Sequence, residues 1–141
     1  MCLTVWIEVD ATDRDSLTEA AASASRFGLR VDVEHPSRWP WAQRRPVRAT
    51  ITEDGGCACG LLSDDADWDA ETWAMRPEVI EPLARAFEAL LQHGTARAAV
   101  EALWAGDRPQ KEVRITSREL AAVVRSKGLG TKARYVIERA G

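Results

Sequence analysis

Apolar and polar residues alternate from Leu3 to Asp10, with Leu3, Val5, Ile7 and Val9 on one face and Thr4, Trp6, Glu8 and Asp10 on the other. A period of two predicts a half-buried strand. The period then lengthens. Leu17, Ala20, Ala21, Ala24 and Phe27 fall on one stripe of a helix that Asp13 is placed to cap and Gly28 to stop. Leu29, Val31 and Val33 alternate again up to His35-Pro36. Val47, Ala49 and Ile51 mark a third strand, ending at Glu53-Asp54-Gly55-Gly56.

Pro77 suits the first turn of a helix, where a missing N–H costs nothing, and Pro82 is tolerated because it lies close to that turn. Val79, Ile80, Leu83, Phe87, Leu90 and Leu91 form one broad apolar face. His93 sits near the negative end of the helix dipole, and Gly94 ends the helix. Residues 96–105 have the composition of a helix, but Gly94 and Gly106 bracket a length suited to a strand, and we read a strand. Val113 and Ile115 give another. Thr116 and Glu119 form a capping box for a helix through Leu120, Val123 and Val124, stopped near Gly128. Ala133, Tyr135 and Ile137 alternate as a last strand.

Helices are thus expected over 14–27, 77–93 and 117–127. The order is βαββαβ followed by βαβ. It predicts an α/β (α+β) chain: a ferredoxin-like sheet with helices on one face, extended by a C-terminal βαβ unit, as one domain over residues 1–141. On this reading the first and third strands run parallel. Cys2 then starts one strand while Cys57 and Cys59 lie beyond the end of the other, roughly 20 Å away at about 3.3 Å per residue.

A chain of 141 residues, 45% apolar and 29% charged, has the composition of a soluble globular domain with enough length for a core. No apolar run reaches the roughly 18 residues that suggest a membrane span, and the first ten residues alternate like a strand instead of forming a leader. An odd count of three cysteines argues against a disulfide framework, so a cytoplasmic location is expected.

The net charge of −3 hides blocks of opposite sign. Residues 36–48 carry four arginines and no acid; residues 49–75 carry seven acids and no base. The C-terminal excess of basic residues is scattered rather than gathered in a stripe, so a nucleic-acid partner is not expected. The two opposed blocks are the candidate surface: Trp39, Trp41, Arg44, Arg45 and Arg48 in one, Asp64, Asp65, Asp67 and Asp69 in the other. Trp39, Trp41, Trp68 and Trp73 fall in expected loops, where so large a ring either closes over the core edge or forms a binding hot spot with arginine. Trp6 and Trp104 are expected in the sheet.

Candidate chemistry does not complete itself. Cys57 and Cys59 are thiol candidates, but a zinc site wants four ligands, and His35 and His93 are isolated. Asp65-x-Asp67-x-Asp69 opens like a calcium loop, yet Ala70 stands where glycine belongs and Arg76 where the bidentate Glu belongs. Gly128 to Lys132 resembles a phosphate loop with its flanking helix and strand reversed. No metal, cofactor or catalytic residue is therefore expected. The reading is a small non-enzymatic binding protein of inhibitor, immunity or accessory type, with a protein partner, no nucleic acid and no membrane. The alternative is a small-ligand enzyme or thiol-dependent metal-binding protein using the Cys57/Cys59 loop.

Overall fold

The computed structural model describes residues 3–9, 14–26, 28–33, 47–52, 58–63, 72–89, 98–104, 106–126, 128–130 and 132–138. The long strands are β1 (Leu3–Val9), β2 (Arg30–Val33), β3 (Val47–Thr52), β5 (Ala98–Trp104), β6 (Lys111–Thr116) and β8 (Ala133–Glu138). The helices are α1 (Arg14–Arg26), α2 (Pro77–Ala89) and α3 (Ser117–Ser126), and β4 (Thr72–Trp73) and β7 (Leu129–Gly130) make a short separate ribbon. The result is a mixed α/β fold: among the described residues, a six-stranded sheet in the order β2-β3-β1-β5-β8-β6, with three helices.

Alternation decides which face meets the helices. Leu3, Val5, Ile7 and Val9 of β1 and Ala133, Tyr135 and Ile137 of β8 are buried in one core cluster. The same cluster holds Leu17, Ala20 and Ala24 of α1, Leu83 and Phe87 of α2, and Leu120, Ala121 and Val124 of α3. One face of the sheet therefore carries the core, and Thr4, Trp6 and Glu8 project from the other.

Local signals end α1 and α3 where expected. Gly28 takes φ +85°, Leu29 N donates to Ala24 O at 2.9 Å and Gly28 N to Ser25 O at 3.2 Å, the paired bonds of a Schellman stop. At α3, Glu119 N donates to Thr116 Oγ1 at 3.1 Å and Thr116 N to Glu119 Oε2 at 3.2 Å, closing the capping box. Gly128 takes φ +84° and its N–H meets Val123 O and Val124 O, so this glycine stops a helix, as the reversed phosphate-loop order implied. Pro77 opens α2 and Pro82 is buried within it. Asp13, Phe27, His35, the 53–56 turn, Leu90, Leu91, His93 and Gly94 lie outside the described residues.

One expectation is overturned. β1 and β3 pair antiparallel, with Trp6 opposite Thr50 and Val9 opposite Val47. β2 and β3 are antiparallel neighbours, and α1 carries the chain back so that β1 and β2 run the same way. A strand lying between β1 and β2 and antiparallel to β2 is antiparallel to β1 as well. The end of β3 therefore adjoins the start of β1. Beyond β5, β8 pairs antiparallel to β5 and β6 pairs parallel to β8, so the whole order is longer than that of a four-stranded plait.

The stretch after β3 also has more structure than expected. A single 3-10 turn, Ala58–Leu61, leads to a bridge between Leu62 and Met75, with Ser63 N donating to Ala74 O at 2.9 Å and Arg76 N to Leu61 O at 2.9 Å. Trp73, expected in a loop, pairs with Leu129 across the β4–β7 ribbon and is 1% exposed. Its ring closes the core.

Candidate functional site

The open face of the sheet carries a closed ring of charges. Glu8 of β1 lies opposite Arg48 of β3, and Glu101 of β5 lies opposite both Trp6 of β1 and Arg134 of β8. Arg134 donates from Nη2 to Glu8 Oε1 at 2.8 Å and from Nη1 to Glu101 Oε1 at 2.5 Å. Arg48 approaches the same two carboxylates, with Nε 3.4 Å from Glu8 Oε2 and Nη2 3.7 Å from Glu101 Oε2. Its guanidinium also stands 4.4 Å from the centroid of the Trp6 ring, a cation–π geometry.

Two guanidiniums and two carboxylates alternate around this ring, so it is electroneutral and ties β3, β1, β5 and β8 together. Glu101 is 7% exposed, the one buried charged residue among the described residues. Burial works against the charge of Arg134, but the hydrogen bonds it donates to Glu8 and Glu101 outweigh it and raise that guanidinium's pKa above its ordinary value. The arrangement suits a clamp across four strands better than proton transfer, because each carboxylate is shared by two fixed cations. Glu101→Gln keeps the shape and removes the charge that two guanidiniums share. We expect a loss of about 1–3 kcal/mol, the scale of losing a charged hydrogen bond at a buried site, read from urea unfolding. A change within about 0.3 kcal/mol would remove the ring from the account.

Of the candidate binding and thiol residues, Arg48 and Cys59 are described. Trp39, Trp41, Arg44, Arg45, Asp64, Asp65, Asp67, Asp69 and Cys57 lie outside the described residues, as do Cys2 and Trp68. What the structure supplies is their anchors. Segment 34–46 joins Val33 at the end of β2 to Val47 at the start of β3, where the register runs Val33 opposite Ala49. Segment 64–71 joins Ser63 to Thr72, on the two arms held by the Leu62–Met75 bridge and the Ser63–Ala74 bond.

Those anchors stand at opposite ends of the sheet. Val47 pairs with Val9 at the end of β1, whereas the turn after β3 adjoins the start of β1, where Leu3 N donates to Cys59 Sγ at 3.3 Å. Cys59 is half-buried against the core. Its sulfur serves as an acceptor for β1 beyond the last β1–β3 pair, Trp6–Thr50. From Leu3 to Glu8 the strand advances about 16 Å at 3.3 Å per residue. Arg48 and Cys59 are therefore not brought together.

This contact also corrects the cysteine geometry. Parallel strands would have left Cys2 far from Cys59; antiparallel ones bring Leu3, bonded to Cys2, onto the Cys59 sulfur. Among the described residues, no group of three or more His, Cys, Asp or Glu stands together to hold a metal ion. Among them too, no helix is long and apolar enough to cross a membrane.

Sequence reasoning missed the ring. The alternation of β1 places Trp6 and Glu8 on the polar face, but their partners Glu101 and Arg134 come from strands whose neighbours only the sheet order reveals. Compared with protein-family models, curated proteins and solved structures, the chain matches none.

Proposed function

We propose that this chain is a small non-enzymatic binding protein of inhibitor, immunity or accessory type, acting on a protein partner. The partner engages the Trp/Arg loop through Trp39, Trp41, Arg44 and Arg45, with Arg48 at its base, the acidic loop through Asp64, Asp65, Asp67 and Asp69, or both. The observation that carries this reading is the holding of the loop ends. Arg48, at the exit of one loop, is clamped between Glu8 and Glu101 and stacked on Trp6, and the arms of the other are bridged. Binding residues are favoured on loops set on a rigid scaffold. Tryptophan and arginine are the side chains most enriched in binding hot spots.

We read the β2-β3-β1-β5 portion with α1 and α2 as a ferredoxin-like plait that β6, α3 and β8 extend, within a single cytoplasmic domain. Because the two loops spring from opposite ends of β3, one partner contacting both spans about 20 Å of sheet, the length of six strand residues. Two smaller contacts would serve equally well.

The test is kinetic. Trp39→Ala or Trp41→Ala is expected to weaken binding chiefly through faster dissociation, and Arg44→Ala or Arg45→Ala to slow association. The association effect fades in high salt, as the Debye length falls from about 10 Å at 0.1 M to about 3 Å at 1 M. A tryptophan that merely closes the core would lower the melting temperature instead. Unchanged rates in all four folded variants, and after neutralising Asp64, Asp65, Asp67 and Asp69 together, would end the proposal.

The second reading, a small-ligand enzyme or thiol-dependent metal-binding protein at the Cys57/Cys59 loop, is favoured by one observation: the Leu3–Cys59 contact brings the start of β1 to that loop. Metal retained in equal stoichiometry through purification would favour it over the first.

A further inference from the structure

We propose that β6 is an interface for a second copy of this chain, the two β6 strands pairing antiparallel across a two-fold axis at Val113. This edge is separate from the two loops invoked above. Among the described residues β6 ends the sheet, with β8 as its neighbour. Gln110 N and Lys111 N both donate to Lys132 O, at 2.7 and 3.4 Å. Residues along a strand bond to a given neighbour alternately, so Val113 and Ile115 follow Lys111 in turning to β8. Glu112 and Arg114 therefore point their N–H and C=O groups out of the sheet. An edge of that kind is a template for another strand. At the other end of the sheet β2 has four residues, and its Arg30 and Asp32 already bind each other at 2.9 Å, so β6 is the better template.

Charges on an edge strand ordinarily keep it unpaired, so their order decides the matter. β6 runs Lys111-Glu112-Val113-Arg114-Ile115. Residues opposite each other share a face, so an antiparallel self-pairing has its axis at a residue. An axis at Glu112 or at Arg114 sets like charges against each other, which is destabilising. An axis at Val113 sets Glu112 opposite Arg114 of the second copy, twice over. Those are also the residues with outward main-chain groups, so each such pair exchanges both of its N–H···O bonds. Arg114 Nη1 stands 3.6 Å from Glu138 Oε1 and would then lie between two carboxylates. The other face supplies apolar contact. Val113, half-buried against the core, meets its own copy in a pair whose Cα atoms lie about 4.5 Å apart. Val123 of α3 is half-buried too. α2 packs between α1 and α3, and Arg125 binds Glu81 and Glu88 of α2 at 2.8 and 2.6 Å. Val123 lies about 200° round the helix from Arg125, on the side away from α2 and toward the β6 edge.

Sedimentation of the whole chain tests the pairing. At about 100 μM, above a micromolar Kd, the wild-type chain is expected to run at twice its 15.6 kDa. Glu112→Arg sets arginine against Arg114 on both sides of the axis, and Arg114→Glu sets glutamate against Glu112. Each variant alone should run as a monomer. Both side chains are exposed, so each variant should melt like the wild type by circular dichroism. Mixed in equal amounts, the two variants should recover the dimer, because each now carries the charge that the other lacks. Misfolded variants would give no such recovery. A monomeric wild type would overturn the proposal and leave the edge to a strand of a different protein. So would a dimer that survives both reversals, which would place the interface elsewhere, or folded variants whose mixture stays monomeric.

Discussion

Replacing Trp73 by alanine is expected to destabilise the protein by about 3–5 kcal/mol, the range for truncating a large aromatic in a core. The ring is 1% exposed and its neighbours Leu129 and Met75 are also buried. It belongs to a strand of two residues, whose partner Leu129 belongs to another strand of two. So short a ribbon has few hydrogen bonds of its own, and burial of Trp73 holds it against the main sheet. A domain of ordinary stability has only about 5–15 kcal/mol in total, so this one truncation would consume a large part of it. Urea unfolding followed by circular dichroism measures the loss. A value below about 1 kcal/mol would mean that the ring can leave the core without a cavity, and that the ribbon is not where the structure places it.

Gly128→Ala is the second large effect, and a second glycine supplies its control. Both Gly28 and Gly128 end helices with positive φ, at +85° and +84°. A Cβ on Gly28 meets nothing within 4 Å, whereas one on Gly128 would stand 2.1 Å from the main-chain oxygen of Trp73. Alanine at residue 28 therefore incurs only the left-handed backbone, about 1–2 kcal/mol. At residue 128 the same cost is joined by a collision that no rotamer change can relieve, because the obstacle is backbone. Forced repacking of that kind adds about 1–3 kcal/mol. The expected order is a total of about 2–5 kcal/mol for Gly128→Ala, clearly above Gly28→Ala in the same assay. Equal losses would show that Gly128 does not pack against β4.

These two positions also mark how far the sequence could be read. Gly28 was legible because a helix stripe ends there, and the stop at Gly128 was legible for the same reason. The contact of Gly128 with Trp73 was not, since two residues of strand are too short to display a period. β1, β3 and β8 read clearly because one face is buried and the other is more open, as in the burial alternation of Leu3–Val9. β5 was ambiguous for the opposite reason. It lies between β1 and β8, and Ala99, Glu101 and Leu103 are buried as well as Ala98, Val100 and Ala102. A strand buried on both faces loses its alternation, and its alanines then resemble a helix.

Strand direction was the costliest misreading. Reading β1 and β3 as parallel put the start of β1 far from Cys59; the antiparallel pairing brings Leu3 N onto the Cys59 sulfur. The charge ring was hidden by sequence distance, since Glu8 and Arg134 are 126 residues apart. The Trp/Arg and acidic segments stood out from charge alone, and the structure adds that the residues flanking them stand at opposite ends of the sheet.

The binding account is tested most directly by site-specific photo-crosslinking in cells that make the protein. A benzophenone amino acid is placed at Trp41, at Asp67 and, as a control on the exposed face of α3, at Arg118. The account predicts a discrete protein adduct from position 41, position 67 or both, suppressed by excess unlabelled protein, and none from position 118. Adducts of equal yield at all three positions, or none at 41 and 67 in a folded protein, would contradict it.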